Sequence, residues 1–515
     1  MRKIEILKNV SSSWFSLGIN ILVGIFLSPF ILHRLGDTAY GIWILIFSIT
    51  GYYGLFDLGI RSSVVRYVST YTATNDEDGL ARLINTSLAT YTSIGAAAMI
   101  VTLACSVFVD KIFRIPADFL SVARVLFLMV GVAVALGFPA GIFGGILEGL
   151  QRFYFVNLTN VISTLLRAAL IVLALHKGYG LLTVALITVV LPLISSLARA
   201  VIALRVLPVP FGWRYVDRNA FREIANYSAV SFILMIGYKL RYKTDEIVIG
   251  TFLSVTAITY FSIGDRLLDY AAELVGSLAQ IFVPMAGQSH AKGDLNRLRT
   301  IWIAGNRACA MIIFPIVTLL IILGKSVITA WVGAKYVSQS YPVLVVLAVP
   351  MMFTLAQGAS VRTLYGMAKH RPLAIVTLME SVANLILSIV LIRPFGIMGD
   401  AFGTAIPLVC TAFFFLPRHM CRLMNVRIGT YLREAYTLPV ALTLPLAGTL
   451  LLVRKWFFAR TVSEVALQAV IGFLPYGIGL FWAMRKKRVW EVGELASGPP
   501  DEVAVAFAGT SRQEP

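Results

Sequence analysis

Fourteen apolar runs, most of them about 20 residues long and poor in charge, recur along the chain, and no other feature narrows its fold so much. A helix of that length matches the roughly 30 Å of hydrocarbon in a bilayer. The runs are Ser13 to His33, Tyr40 to Ile60, Asn85 to Val109, Val125 to Leu147, Phe155 to Leu175 and Leu181 to Leu204. Six more follow, Tyr227 to Gly250, Val255 to Met285, Ile301 to Leu323, Tyr341 to Tyr365, Leu373 to Ile392 and Ala401 to Leu416, and then a closing pair, Leu438 to Val453 and Val465 to Met484. Of 515 residues, 58% are hydrophobic and 14% charged, where a soluble domain carries about 25% charge. The expected fold is an all-α polytopic membrane protein of about 14 transmembrane helices.

The net charge of +18 falls in short Lys and Arg clusters between apolar runs, which excludes a continuous basic domain for nucleic acid. With the amino terminus inside, the inside loops hold about two dozen Lys and Arg against about eleven outside, so both ends are expected to be cytoplasmic. Arg61, Arg66 and Arg82, then Arg214, Arg218 and Arg222, then Arg418, Arg422, Arg427 and Arg433, mark that side; Arg454, Lys455 and Arg460 run against the bias. The first run lacks a small-residue cleavage site and reads as a retained span. Residues 489–515 combine Gly, Pro and scattered charge and are expected to form a mobile cytoplasmic tail.

Sliding the chain by about 217 residues superposes span on span, with Asn9 on Asn226, Tyr53 on Tyr270 and Gly149 on Gly366. That pattern predicts a six-helix bundle over 1–206, a cytoplasmic linker over 207–226, a second bundle over 227–423 and two additional helices over 424–488. Because six is even, the repeats share one orientation, with a cavity between them as the natural binding site.

Catalytic constellations are missing. His33, His176, His290, His370 and His419 lie near span ends without metal or nucleophile spacing, the four cysteines lack Cys-x-x-Cys spacing, and no phosphate loop follows a strand. The chain is expected to be no enzyme and to need no metal or cofactor, with coupling to a Na+ or H+ gradient left open. Arg167 stands in the fifth run, where a cation must face protein, water or an anion. The seventh run contains "YKLRYKTDE", with Lys239, Arg241, Lys243, Asp245 and Glu246, and the eighth answers with Asp265, Asp269 and Glu273 beside Arg266. These read either as salt bridges between adjacent helices or as a polar cavity wall. At the 217 shift Lys239, Arg241 and Lys243 fall on Leu22, Gly24 and Phe26, and Arg167 on Asn384 near Glu380, so the scaffold itself does not require the cations. Arg167, Lys239, Arg241 and Lys243 are the candidate substrate-binding residues; Asp57, Asp245, Asp265, Asp269, Glu273 and Glu380 are candidates for ion coupling or structural pairs. Asp57 precedes Arg61 by four residues, the spacing of a helix-end ion pair.

The stretches "LGDTAYGIWILIFSITGYYGLFDLGIRSSVVRYVS", "GILEGLQRFYFVN" and "DEIVIGTFLSVTAITYFSIGDRL" resemble the polysaccharide-biosynthesis flippases of the O-antigen transporter type, within the multidrug/oligosaccharidyl-lipid/polysaccharide superfamily. The likeness covers the first twelve spans. It implies two six-helix bundles in a V shape, alternating access, and transfer of an undecaprenyl-pyrophosphate-linked oligosaccharide across a bacterial inner membrane. The implied partners are the lipid-linked glycan, membrane lipids and other glycan-export proteins such as a polymerase. Two alternatives stay open: a cation-coupled multidrug exporter of the same superfamily, which should line its cavity with acids, and a membrane glycan polymerase, which should carry a large outside loop.

Overall fold

The computed structural model describes residues 3–53, 60–225 and 244–486. Among them no β-strand forms, and twelve helices are long and apolar enough to cross a membrane. The twelve coincide one for one with expected spans. Of the two remaining runs, the second is a helix as far as Tyr53, with 54–59 outside the described residues, and the seventh is described only from residue 244. Helix is what lipid demands here, since it satisfies each backbone N–H and C=O within its own segment.

Contacts divide the chain into two compact units. The first takes residues up to 262 together with 385–400. It holds α1 (Lys3–Leu35), α2 (Asp37–Tyr53), α3 (Ile60–Thr74), α4 (Glu77–Ile112), α5 (Ala117–Gly149), α6 (Phe153–His176), α7 (Leu181–Val206), α8 (Asp245–Phe252) and the start of α9 (Val255–Ala279). Helices α4, α5 and α7 pack side by side, α6 lies against α1 and α7, and Val64, Leu83, Ile84, Ile142 and Leu147 form a buried core where α3, α4 and α5 meet. The carboxylate of Asp76 caps α4 by accepting from the Gly79 amide at 2.8 Å.

Close backbone approach between α2 and α9 depends on a glycine. A Cβ on Gly41 would overlap the carbonyl of Val255, so α2 and α9 meet only because the position is bare. Gly41→Ala is expected to cost about 1–3 kcal/mol through overpacking. Gly18→Ala, on a helix where a Cβ meets nothing within 4 Å, is the control, since both gain equally in helix propensity. Equal melting temperatures of the two purified variants would overturn this reading.

The connection after α7 is packed, not loose. Asn85 of α4 donates to the Pro210 carbonyl at 2.9 Å and accepts from the Gly212 amide at 3.0 Å, and Thr86 accepts from the Asp217 amide at 3.0 Å. The Tyr71 hydroxyl donates to Glu223 at 2.9 Å, and burial beside that carboxylate pushes the phenol up to about 12.

The second unit takes residues 263–384 and from 401 onward. Beyond the rest of α9 it contains α10 (Phe282–Ala291), α11 (Leu295–Trp331), α12 (Val337–Ala356), α13 (Gly358–Gly366), most of α14 (Arg371–Phe395) and most of α15 (Ile397–Val409). A π-helical segment, Cys410–Phe415, leads into α16 (Leu416–Met424), and α17 (Ile428–Trp456) and α18 (Val462–Arg485) close the described chain. Helix α11 is the axle, touching α10, α12, α13, α17 and α18. A polar knot secures it: Asn306 donates to Ser360 at 2.8 Å and to the Tyr431 hydroxyl at 3.1 Å, Trp302 donates to Ser360 at 2.8 Å, and the Trp302 and Tyr431 rings stack at 4.5 Å. Each buried donor in that knot has a partner, which is what burial away from water requires.

Three expected continuous spans are interrupted. The eighth breaks between α9 and α10, and Pro284 stands in the first turn of α10, where a missing N–H costs no helical bond. The tenth ends at Gln357 before α13 restarts, and the twelfth widens into the π-helical segment. Gln357 joins two of these irregularities by donating to the Ala412 carbonyl at 2.7 Å.

Candidate functional site

Arg167 lies in α6, about 21 Å along the helix from Phe153. At 3.6 residues per turn, Asn160, Ser163, Thr164 and Arg167 share one face, and Thr164 donates to Asn20 of α1 at 3.0 Å. The opposite face carries the exposed side chains of Leu158, Ile162, Leu165, Leu166 and Leu173. The helix therefore turns its apolar side outward and its polar stripe, with the guanidinium, toward protein. Among the described residues Arg167 has no ion pair.

A second basic group gathers where α3, α5 and α7 meet. Arg61 grips Glu148 with two bonds, Nη2 to Oε1 at 2.6 Å and Nε to Oε2 at 3.3 Å. Arg199 of α7 donates to the Ser195 carbonyl at 3.3 Å and to Ser196 Oγ at 2.9 Å. Both guanidiniums converge on Gly144, where an added Cβ would lie 3.5 Å from Arg61 Nη2 and 3.6 Å from Arg199 Nη1. Charge-assisted bonds from such groups suit carboxylate or phosphate oxygens. Sequence reading treated Arg61 as a helix-end partner of Asp57 and passed over Arg199 and Glu148, because a pair 87 residues apart has no local spacing to reveal it.

Of the other expected site residues, Lys239, Arg241, Lys243 and Asp57 lie outside the described residues. Asp245 and Glu246 are buried in the first turn of α8. Asp265, Asp269 and Glu273 follow one another along α9, where Asp269 lies 3.9 Å from Arg266 of its own helix and Glu273 is exposed. Glu380 is buried on α14, one turn from Asn384, which accepts from Thr404 at 3.3 Å. Among the described residues no three His, Cys, Asp or Glu side chains gather as a metal set.

Two features of the second unit had no counterpart in the sequence reading. Arg307, buried in α11, donates to the backbone carbonyl of Glu434 at 2.7 Å and pairs with its carboxylate at 3.4 Å, fastening α17 to the bundle. Along α17 runs an apolar cavity of about 460 Å³ bounded also by α11, α12 and the π-helical segment, with Phe314, Phe353, Phe413, Leu432 and Leu444 among its walls. Phe413, Leu432 and Leu444 are also exposed on the outside of the unit, so the cavity opens on an apolar surface.

Residues 31–341, more than half of the chain, match the model of a family described as polysaccharide biosynthesis protein. The membrane protein EpsK of Bacillus subtilis (strain 168), itself uncharacterized, is 22% identical over 82% of this chain and 85% of its own length. A putative O-antigen transporter of Shigella flexneri is 20% identical over 81% of this chain and 99% of its own length. Among solved structures, the lipid II flippase MurJ in an inward closed conformation superposes with a TM-score of 0.74 at 15% identity, covering 94% of this chain and 99% of that one. The shared fold is that of a multi-pass membrane protein.

Proposed function

Since the chain belongs to the polysaccharide biosynthesis protein family, we propose that it is a flippase moving an undecaprenyl-pyrophosphate-linked oligosaccharide, an O-antigen, capsule or exopolysaccharide unit, from the cytoplasmic to the periplasmic leaflet by alternating access. The observation that carries this reading is Arg167. A guanidinium within a span, turned toward protein and without a described carboxylate partner, is an electrostatic cost that an anionic substrate offsets. A pyrophosphate supplies the matching oxygens in planar, bidentate reach. The apolar cavity beside α17 supports the same substrate class, because the isoprenoid chain stays in a hydrocarbon environment while the glycan crosses. The family relation to a putative O-antigen transporter supports a carrier in place of an enzyme.

Deleting the gene tests the proposal. Undecaprenyl-linked glycan should accumulate on the cytoplasmic leaflet, and intermediates unchanged in amount and leaflet would refute it. The same strain, carrying the protein with single cysteines, checks orientation. A cysteine at the exposed Ser338 should react with an impermeant thiol reagent from outside, and one at the exposed Ala291 should not.

A further inference from the structure

The connection after α7 presents two opposite sides. Its inner side is built into the first unit: Ile224 is buried in the core cluster with Val64 and Ile84, the Ile224 carbonyl accepts from Ser63 at 3.3 Å, and Glu223 accepts from Tyr71. Its outer side carries Phe211, Trp213, Val216 and Phe221, with Trp213 85% exposed, interleaved with the exposed arginines Arg214, Arg218 and Arg222. Arg214 lies over the Tyr215 ring at 4.7 Å and donates to its hydroxyl at 2.7 Å.

The depth of this segment follows from its bonds. Helix α4 is uncharged from Leu83 to Val109, about 40 Å against roughly 30 Å of hydrocarbon, so the boundary with the headgroups falls in the first two turns after Arg82. Asn85 and Thr86, which hold Pro210, Gly212 and Asp217, stand at that boundary. The segment is thus tied to the level where lipid headgroups meet acyl chains. Exposed aromatic rings are disfavoured in water and stabilised at that level, and arginines among them meet headgroup phosphates.

We infer that residues 211–222 form a headgroup-binding surface that seats the first unit on the anionic phospholipids of the leaflet it faces. Charge complementarity selects the occupant: three arginines and no exposed carboxylate on the outer side favour an anionic lipid over a zwitterionic one, while Asp217 is occupied in accepting from the Asn219 and Ala220 amides at 3.1 and 3.0 Å. The inference is independent of the flippase reading.

The test uses the full chain reconstituted in phosphatidylcholine vesicles that contain either brominated phosphatidylglycerol or brominated phosphatidylcholine at equal mole fraction. The Trp213 signal is the fluorescence difference between wild type and Trp213→Phe. Brominated phosphatidylglycerol should quench that signal more strongly, and relative lipid affinity should fall about fivefold with each of Arg214→Gln, Arg218→Gln and Arg222→Gln. Unchanged emission from the remaining tryptophans shows that each variant is folded. Equal quenching by the two lipids in wild type, or quenching by neither, would overturn the inference.

Discussion

Arg167→Gln should reduce glycan export about tenfold to a hundredfold while the protein stays inserted at native abundance. The range follows from a charge-assisted hydrogen bond worth about 1.5–3 kcal/mol, lost where substrate phosphate is proposed to pass. Abundance should hold because Arg167 has no described carboxylate partner to strand, and removing a charge from a span favours insertion. Arg167→Lys keeps the charge without the planar fork and should retain an intermediate rate. The measurement is export in a deletion strain complemented at native expression, with abundance followed in parallel. Normal export by the glutamine variant would remove Arg167 from the mechanism, and loss of protein in proportion to loss of export would reassign it to structure.

The second large effect belongs to Arg307. Its side chain is 4% exposed and that of Glu434 20%, so Arg307→Ala takes from Glu434 its buried partner in the contact between α11 and α17 and leaves the exposed Arg433, 3.5 Å away, as a weaker one. Breaking a buried pair on one side costs about 3–5 kcal/mol. A drop of about 5 °C or more in the melting temperature of the detergent-purified protein is expected. Replacing both residues by leucine should cost less than replacing Arg307 alone, because no carboxylate is left in the buried contact and Arg433, which also pairs with Glu434, is exposed to solvent. A single variant that melts with wild type would show that the other contacts of α17 suffice to dock it, among them Tyr431 with Asn306, and Leu446 and Leu450 against Ile322 and Leu323.

The same arginine shows where sequence reading stops. Arg307 is a lone cation in the run Ile301 to Leu323, and its partner lies 127 residues away on a helix whose neighbours no local pattern discloses. Arg61 and Glu148 repeat the lesson, and so does Arg454, which donates to the Ile322 carbonyl 132 residues away at 2.9 Å. Arg167 is the opposite case. Its polar stripe and its leucine-rich back are both written at helical spacing in one short segment, so the inward placement was legible before any fold was known.

The amino-acid sequence alone determined that the chain is a helical, multi-pass membrane protein, and it located twelve membrane-crossing helices among the described residues, because hydropathy sums over neighbours in the chain and lipid accepts only segments that satisfy their own backbone. The tertiary structure alone decided which charges meet and where helices break. It set Arg61 on Glu148 and Arg307 on Glu434, divided the eighth and tenth spans, and opened the π-helical segment where Gln357 reaches Ala412. An ion pair or a freed carbonyl is settled by which helix packs alongside, and that neighbour is chosen by the whole fold, not by the segment that carries the charge.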